Sequence, residues 1–170
     1  MNSVKALVLL ATLGLAACAD KGPQLGPDGK PLPVLYRITK TESAAIPGRV
    51  LANVNELRAK RGTAPVAMNA ALSEAAMRHS KDMAEQNRPW HWGSDGSSPV
   101  DRTRRAGFYG TFVGENISET YENDVETLSA WMSLADTRDV ILNPVATQIG
   151  FGWYQEASGK VWWTMVTGHE

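Results

Sequence analysis

The stretch TQIGFGWYQEASGKVWWTMVT, residues 147–167, predicts two β-strands joined by a tight turn. Aromatic and β-branched residues dominate both halves, which is typical of strands, and Ser158-Gly159 between them favours a hairpin turn. We therefore predict strands over residues 147–155 and 161–167, paired antiparallel because the connection is short.

Helical patterns precede this hairpin along most of the chain. Asn69 can cap a helix that continues through LSEAAMRHSKDMAEQ, residues 72–86, where apolar side chains recur on one stripe. Other helices are predicted from Ile46-Pro47 to Gly62, from Ser98-Pro99 to Gly107 and from Asp124 to residue 134, with a further strand over residues 111–118. This mixture indicates an α+β fold with a mostly antiparallel sheet covered by helices.

Residues 1–17 have the features of a signal peptide, because Lys5 is followed by a short apolar run that ends in small residues. The run is shorter than the roughly 20 apolar residues of a membrane span. Leu15-Ala16-Ala17-Cys18 resembles the bacterial lipobox. The resemblance implies that Cys18, the chain's only cysteine, carries acyl chains such as palmitate and anchors the exported protein to a cell membrane. The alternative is a secreted protein cleaved after Ala17 that carries a free thiol.

The rest of the chain predicts a tether and one domain. Residues 18–45 begin with repeated Gly and Pro and predict a tether, although residues 34–45 also fit a short docking strand. Residues 46–170 are long enough for a single domain with one core. Ala19 follows the cysteine instead of the Asp that commonly retains lipoproteins at the inner membrane, so we expect the outer membrane, facing the periplasm. A formal net charge of −1 argues against nucleic-acid binding.

The chain has three histidines, which limits the chemistry available to it. His79 lies on the apolar stripe of its predicted helix and fits a core histidine bonded to backbone better than a ligand. His169 lies in the terminal tail, where a functional role is not expected. His91 stands in WHWGSDG, residues 90–96, a turn-rich loop of the kind that carries sites. Glu115, in a predicted strand, needs a partner if it is buried. His91 is the candidate partner, and loop backbone is the alternative for Glu115 and Asn116.

Five stretches follow one another in a characteristic order. They are LSEAAMRHSKDMA (72–84), HWGSDGSSPVDRTRRAGF (91–108), VGENI (113–117), RDVILNPVATQIGFGW (138–153) and VWWTMV (161–166), with a Trp-containing helix after VGENI. Together they resemble the bacterial branch of the CAP superfamily, which groups cysteine-rich secretory proteins, antigen 5 and pathogenesis-related proteins. The resemblance covers about residues 46–167 and implies a three-layer α-β-α sandwich. It also implies a cleft usually lined by two His and two Glu, which holds a divalent cation in many members.

Only half of that set of four side chains is present. By the resemblance, His91 corresponds to the first His, and Glu115 within Gly114-Glu115-Asn116 to the first Glu. The second Glu is expected directly after Trp131, where the chain has Met132-Ser133-Leu134, and Thr137 stands where the second His is expected. Two ligands do not make a closed zinc site. We therefore expect no resident cofactor and, at His91 and Glu115, at most weak binding of a divalent cation.

These observations predict a lipid-anchored domain of the cell envelope that binds a ligand without turning it over. His91 and Glu115 are the expected cleft pair, and Asn116, Trp131, Thr137 and Arg138 are expected to support the cleft. The ligand is a small apolar molecule, a glycan or another envelope protein. Two alternatives stay open: a hydrolase with His91 as general base oriented by Glu115, and a scaffold whose cleft is vestigial.

Overall fold

The computed structural model describes residues 35–170, together with residues 27, 29 and 30. Residues Leu35–Glu170 form one compact unit. The predicted signal peptide over residues 1–17, the predicted lipid attachment at Cys18 and most of the predicted tether up to residue 34 lie outside the described residues. None of the described helices has the length and apolar composition needed to span a membrane.

Helices and strands alternate along the described chain. In order they are α1 (Lys40–Lys60), β1 (Ala67–Met68), α2 (Ala70–Gln86), α3 (Pro99–Arg105), β2 (Thr111–Ser118), α4 (Asp124–Ser133), α5 (Ala135–Ile141), β3 (Gln148–Gln155) and β4 (Val161–His169). Asn69 and Ser98 cap α2 and α3 with their side chains, as their positions predict. The predicted limits of β2 agree with its observed limits.

The sheet has the order β1-β3-β4-β2. β3 and β4 form the predicted hairpin, and β2 pairs antiparallel with the other edge of β4. β1 pairs parallel with β3 through Ala67 and Met68. The predicted α+β fold with a mostly antiparallel sheet is therefore confirmed, with one short parallel pair. A strand of two residues is too short to carry a periodic pattern that a sequence would reveal.

Helices cover both faces of this sheet. α2 packs closely on one face of β3 and β4. A Cβ at Gly150 would collide with the backbone of Leu72, and a Cβ at Gly152 with the backbone of Met77, so glycine at these positions lets α2 approach the sheet. Side chains of α1, α4 and α5 pack on the other face. The result is the three-layer α-β-α sandwich that the sequence motifs imply.

The face covered by α1, α4 and α5 is rich in aromatic side chains, and we call this packing the aromatic layer. Trp131 and Phe151 meet edge to face with ring centroids 6.2 Å apart, and Phe151 and Trp163 lie 5.7 Å apart. Buried side chains of α1 close the layer: Ile46, Val50 and Val54. Aromatic pairs of this geometry add roughly 0.5–1.5 kcal/mol beyond their buried area.

The first helix differs from its prediction. α1 begins at Lys40 instead of near Ile46, because Thr39 and Glu42 form a capping box at its start. Pro47 therefore lies inside the helix, where proline lacks the N–H of one backbone bond. Residues before the helix also contact the fold, since Ile38 N donates to Gln155 Oε1 at 3.0 Å. The compact unit begins at Leu35, eleven residues before the predicted domain start at residue 46.

Candidate functional site

Glu115 and Asn116 are neighbours on β2, and their side chains enter different layers. Consecutive side chains of a strand point to opposite faces. Glu115 lies opposite Val166, which packs with α2, whereas Asn116 lies opposite Met165, which belongs to the aromatic layer. The predicted site residues therefore form two groups, one on each face of the sheet.

Glu115 lies at the centre of the first group. Its side chain is 2% exposed and accepts two hydrogen bonds from Arg102 Nη2, at 2.9 Å to Oε1 and 2.7 Å to Oε2. His91 Nδ1 contacts Oε1 at 2.9 Å. Because an ionised carboxylate only accepts hydrogen bonds, Nδ1 of His91 carries the proton. The predicted contact between His91 and Glu115 is present, and Arg102 is a further partner that supplies the counter-charge.

Arg102 also fixes the loop that carries His91. Its Nη1 donates to the backbone carbonyl of His91 at 2.8 Å and to that of Ser97 at 3.2 Å. The His91 side chain itself is 53% exposed, whereas the Arg102 side chain is 9% exposed. One guanidinium thus joins α3, the loop and β2, and His91 covers the carboxylate from the solvent side.

His79 completes the group, which we call the charged cluster: His79, His91, Arg102 and Glu115. Its Nε2 lies 3.0 Å from the carbonyl oxygen of Trp90, so Nε2 carries the proton. The distance of 3.8 Å from Nε2 to Glu115 Oε1 is too long for a hydrogen bond. Burial lowers the pKa of His79, and the influence of Glu115 opposes this shift. The neutral ring therefore presents an unshared electron pair at Nδ1, a buried atom without a hydrogen-bond partner in the described structure.

A cleft of about 260 Å³ opens beside the charged cluster, between α2, α3 and the intervening loop. It is lined by Ala75, Arg78, His79 and Asp82 from α2, by Ser94, Asp95 and Ser97 from the loop, and by Arg102 and Arg105 from α3. His79 and Arg102 thus separate the cleft from Glu115. No tryptophan in the described part of the chain lines it.

The charged side chains that line the cleft already have partners. Asp82 accepts a hydrogen bond from the backbone N–H of Ser94 at 2.9 Å, and Arg105 pairs with Asp95. The hydrogen bonds from Ser97 are the largest cause of the lowered pKa of Asp95, and the hydrogen bond from Arg105 lowers it further. The walls of the cleft are therefore polar, charged and held in place by one another.

The second group of predicted residues ties α4 and α5 to β2 on the opposite face. Asn116 Nδ2 donates to the carbonyl of Thr137 at 2.8 Å, and Thr137 Oγ1 donates to that of Trp131 at 2.6 Å. Trp131 Nε1 donates to the carbonyl of Ile117 at 3.3 Å. These side chains support β2 from behind and do not line the cleft beside His79. Arg138 lies elsewhere, at a separate pocket between α1 and α5.

The divalent cation implied by the resemblance does not fit the charged cluster. Arg102 donates to both oxygens of Glu115 and places a positive charge where a cation would need to bind. Among the described residues, no group of three His, Cys, Asp or Glu side chains is arranged to hold a metal ion. The chemistry of this donor set is that of an internal ion pair.

Sequence reasoning missed Arg102 and the free Nδ1 of His79. Arg102 stands in DRTRR, one of three arginines in five residues, and nothing local distinguishes it from Arg104 or Arg105. A buried Glu needs a counter-charge, and a guanidinium, which stays protonated, meets this need better than a histidine. The sequence predicts His79 as a core histidine bonded to backbone, but a pattern in the sequence cannot show that one of its nitrogens stays without a partner.

The fold and the motifs agree with comparisons to known proteins. Residues 51–167 match the family described as CAP, the cysteine-rich secretory protein family, and the chain belongs to this family. YkwD of Bacillus subtilis (strain 168), an uncharacterized protein, is 33% identical over 114 residues, which are 67% of this chain and 44% of YkwD. YlbC of the same organism, an uncharacterized membrane protein, is 29% identical over 104 residues, 61% of this chain and 30% of YlbC. The chain thus spans less than half the length of these relatives.

Solved structures show the same fold. An extracellular protein with an SCP domain from Bacillus anthracis aligns with a TM-score of 0.69 at 22% identity, over 86% of this chain and 45% of that protein. An outer surface protein of Borrelia burgdorferi aligns with a TM-score of 0.67 at 15% identity, over 75% of this chain and 95% of that protein. At these identities the likeness concerns the fold alone.

Proposed function

We propose that this protein is an exported CAP domain, anchored by lipid at Cys18, that binds a polar ligand of the cell envelope without chemical turnover. The binding site is the cleft bordered by His79 and Arg102. One observation carries the proposal: Nδ1 of His79 is buried and has no partner, although His79 lines the cleft. A buried polar atom without a partner is costly, and a ligand or water that donates a hydrogen bond removes this cost.

The lining favours a glycan over a small apolar molecule. Carboxylates, guanidinium groups and serine hydroxyls surround the cleft, so it offers both donors and acceptors to sugar hydroxyls. Because Nδ1 of His79 has no exposed surface, a ligand hydroxyl supplies the missing hydrogen bond only when the side chains that cover this atom move aside. Trp92 is on the loop that carries Ser94 and Asp95 and is 52% exposed; it does not line the cleft, so it offers an apolar face only to a sugar that extends beyond the cleft. A polar segment of an envelope protein is the alternative ligand.

The charged cluster argues for binding and against catalysis. Glu115 is neutralised by Arg102, so it is unsuited to act as a free base. No hydroxyl or thiol among the described residues hydrogen-bonds to His91 as a nucleophile would. One observation does favour a hydrolase as the second candidate: Glu115 holds His91 Nδ1, which leaves Nε2 directed away from the carboxylate and available as a general base.

Glycan binding can be tested with N-acetylglucosamine oligomers and maltose oligomers titrated into the purified protein, followed by the ¹⁵N signal of His79 Nδ1. We expect at least one series to shift this signal and His79→Gln to weaken binding about tenfold, the loss of one good hydrogen bond of about 1.4 kcal/mol. His169→Gln, at the exposed terminus, is the matched control and leaves binding unchanged. Binding of palmitate in place of every sugar would support an apolar ligand, and no binding at all would support a scaffold.

Catalysis is tested separately with p-nitrophenyl butyrate. We expect hydrolysis no faster than in buffer. Turnover that is lost in His91→Gln and retained in His169→Gln would establish the hydrolase and refute the non-catalytic proposal.

The anchor at Cys18 is supported by the apolar run and the lipobox-like residues before it. Cys18→Ser should release the protein from membranes into the soluble fraction, and mass spectrometry should find acyl chains on the unaltered protein alone. Because Ala19 follows the cysteine, the unaltered protein should fractionate with the outer membrane. A Cys18→Ser protein that remains with the membranes would contradict the anchor.

A further inference from the structure

A second pocket lies between the end of α1 and the connection from α5 to β3, and none of its lining residues belongs to the charged cluster. Its volume is about 550 Å³, and its lining includes Arg61, Arg138, Asp139 and Asn143. None of these residues takes part in the function proposed above, so this pocket carries an independent inference.

Two of the lining residues are arginines without partners. Arg61 follows the last residue of α1, and Arg138 lies in α5. Within residues 35–170, neither guanidinium forms a hydrogen bond, an ion pair or a cation–π contact, whereas Arg49, Arg102 and Arg105 are all paired with carboxylates. Both free guanidinium groups border the same space, so their donors can converge on one ligand.

A third positive charge lies buried behind the pocket. Arg58 is fully buried and donates to the carbonyls of Ala64, Ile141, Asn143 and Ala146, at 2.7 to 2.9 Å. In the described part of the chain, no carboxylate forms an ion pair with it. Burial lowers the pKa of Arg58, yet a guanidinium stays protonated in proteins. Its charge is therefore balanced only by carbonyl dipoles, two of which belong to the segment that lines the pocket.

Negative charge at the pocket is sparse. Asp139 is the only acidic residue in its described lining. The two unpaired guanidinium groups of Arg61 and Arg138 thus face one carboxylate, in a chain whose formal net charge is −1. The charge of Arg58 adds to theirs from beneath the carbonyl of Asn143. The excess of positive charge is confined to the pocket, so it favours the binding of an anion there.

Asn143 adds a neutral donor. Its Oδ1 accepts from the backbone N–H of Val145 at 3.0 Å, which directs Nδ2 to other partners. Two arginines and an amide N–H offer more donors than one carboxylate has oxygens to accept, while a phosphate offers three or four oxygens. The volume also leaves room for a group attached to the phosphate.

We propose that the pocket bordered by Arg61, Arg138 and Asn143 binds a phosphate group carried by a larger molecule. Lipid headgroups and soluble phosphorylated molecules share this chemistry. The proposal does not depend on the ligand of the cleft beside His79.

Titration of the Cys18→Ser full chain with inorganic phosphate and with glucose 6-phosphate, followed by the Nε–H signals of the arginines, tests the site. We expect Arg61 and Arg138 signals to shift, and Arg61→Gln and Arg138→Gln each to weaken binding about tenfold. Asp139→Asn should tighten binding, because it removes the opposing charge. Arg104→Gln is the matched control, since Arg104 is exposed, has no partner among the described residues and lies outside the pocket.

Vesicles separate the two sources of phosphate. Binding to phosphatidylcholine vesicles that contain phosphatidylglycerol, but not to pure phosphatidylcholine, and its loss in Arg138→Gln would identify a lipid headgroup. Binding of glucose 6-phosphate without vesicle binding would identify a soluble ligand. The proposal is overturned if inorganic phosphate and glucose 6-phosphate both fail to bind at millimolar concentration and the vesicles with phosphatidylglycerol fail to bind as well. It is also overturned if Arg104→Gln weakens binding as much as Arg138→Gln, or if Asp139→Asn weakens binding.

Discussion

The two faces of β2 differ in what stabilises them, although Glu115 and Asn116 are consecutive residues. Behind Asn116, the aromatic layer is held by buried rings and aliphatic side chains, so its stability comes from area removed from water. In front of Glu115, the charged cluster is held by hydrogen bonds to the Glu115 carboxylate. The stability of the aromatic layer depends mainly on how much apolar area is buried. The stability of the charged cluster depends on each hydrogen-bond partner being present.

Substitutions should act differently on the two faces. Removing a ring from the aromatic layer leaves a cavity, and the loss grows with the volume removed. Removing one ion from the charged cluster leaves its partner buried without a counter-charge, so the loss exceeds what the pair contributed. A second substitution that removes the remaining ion should therefore restore stability in the charged cluster.

The largest effect is expected in the aromatic layer. Trp163 is fully buried, packs on Phe151 and donates its Nε1–H to the carbonyl of Tyr121 at 2.8 Å. Trp163→Ala should lower the free energy of unfolding by about 3–5 kcal/mol, measured by urea denaturation. Trp92→Ala, at a half-exposed ring, is the control and should change it by about 0.5 kcal/mol or less. A loss below about 1 kcal/mol for Trp163→Ala would mean that this layer is loosely packed.

The second largest effect is expected for Arg102→Met. The free energy of unfolding should fall by about 3 kcal/mol, because Glu115 then stays buried without its main counter-charge. The double variant Arg102→Met with Glu115→Gln should recover part of this stability, since no charge is left unpaired. Urea denaturation of the four proteins of the cycle measures the coupling between the two positions. Additive losses would show that the ion pair is not coupled, and Arg104→Met controls for removing an arginine from α3.

Acid should act on the charged cluster through His79. Its pKa is lowered in the folded protein, so between that value and the unfolded value of about 6.5 the unfolded chain binds more protons. Stability should therefore fall as the pH decreases below about 6.5, by at most about 1.4 kcal/mol per pH unit for one proton. Glu115, Arg102 and Asp82 are the charged groups that act on this ring. His79→Gln should flatten the dependence of Tm between pH 7 and 5, and an unchanged slope would assign it to other groups.

The smallest effect is expected for His91→Ala. His91 bonds to Glu115, but its side chain is 53% exposed, so water can replace the lost partner. The free energy of unfolding should fall by less than about 1 kcal/mol. A loss as large as that of Arg102→Met would contradict the assignment of Arg102 as the main partner, because His91 would then contribute as much as Arg102.

Local signals predicted much of the fold. The strand at Thr111–Ser118, the hairpin of β3 and β4, and the starts of α2 and α3 follow from β-forming residues and from the capping side chains of Asn69 and Ser98. α5 escaped prediction because it is a seven-residue helix whose N-cap, Leu134, makes no side-chain bond. The predicted start of α1 is too late because Pro47 favours a first helical turn at its own position, whereas Thr39 and Glu42 cap the helix earlier.

At the site, the contact of His91 with Glu115 was predictable, since a carboxylate in a buried strand needs a partner. The choice of Arg102 as the main partner depends on how α3 packs against β2, which no local pattern encodes. The same holds for the free Nδ1 of His79 and for the meeting of Arg61 with Arg138, which are 77 positions apart in the chain.

Residue order alone therefore determined where the strands and most of the helices form, which residues cap them, and the family to which the chain belongs. These properties depend on interactions among residues within a few positions of one another. Alternation along β2 already places Glu115 and Asn116 on opposite faces. The layer that each one enters, the counter-charge of Glu115 and the two pockets arose from the packing of α2, α3 and α5 against the sheet. Contacts between distant segments exist only once the layers are assembled, because strand register and helix position decide which side chains can meet.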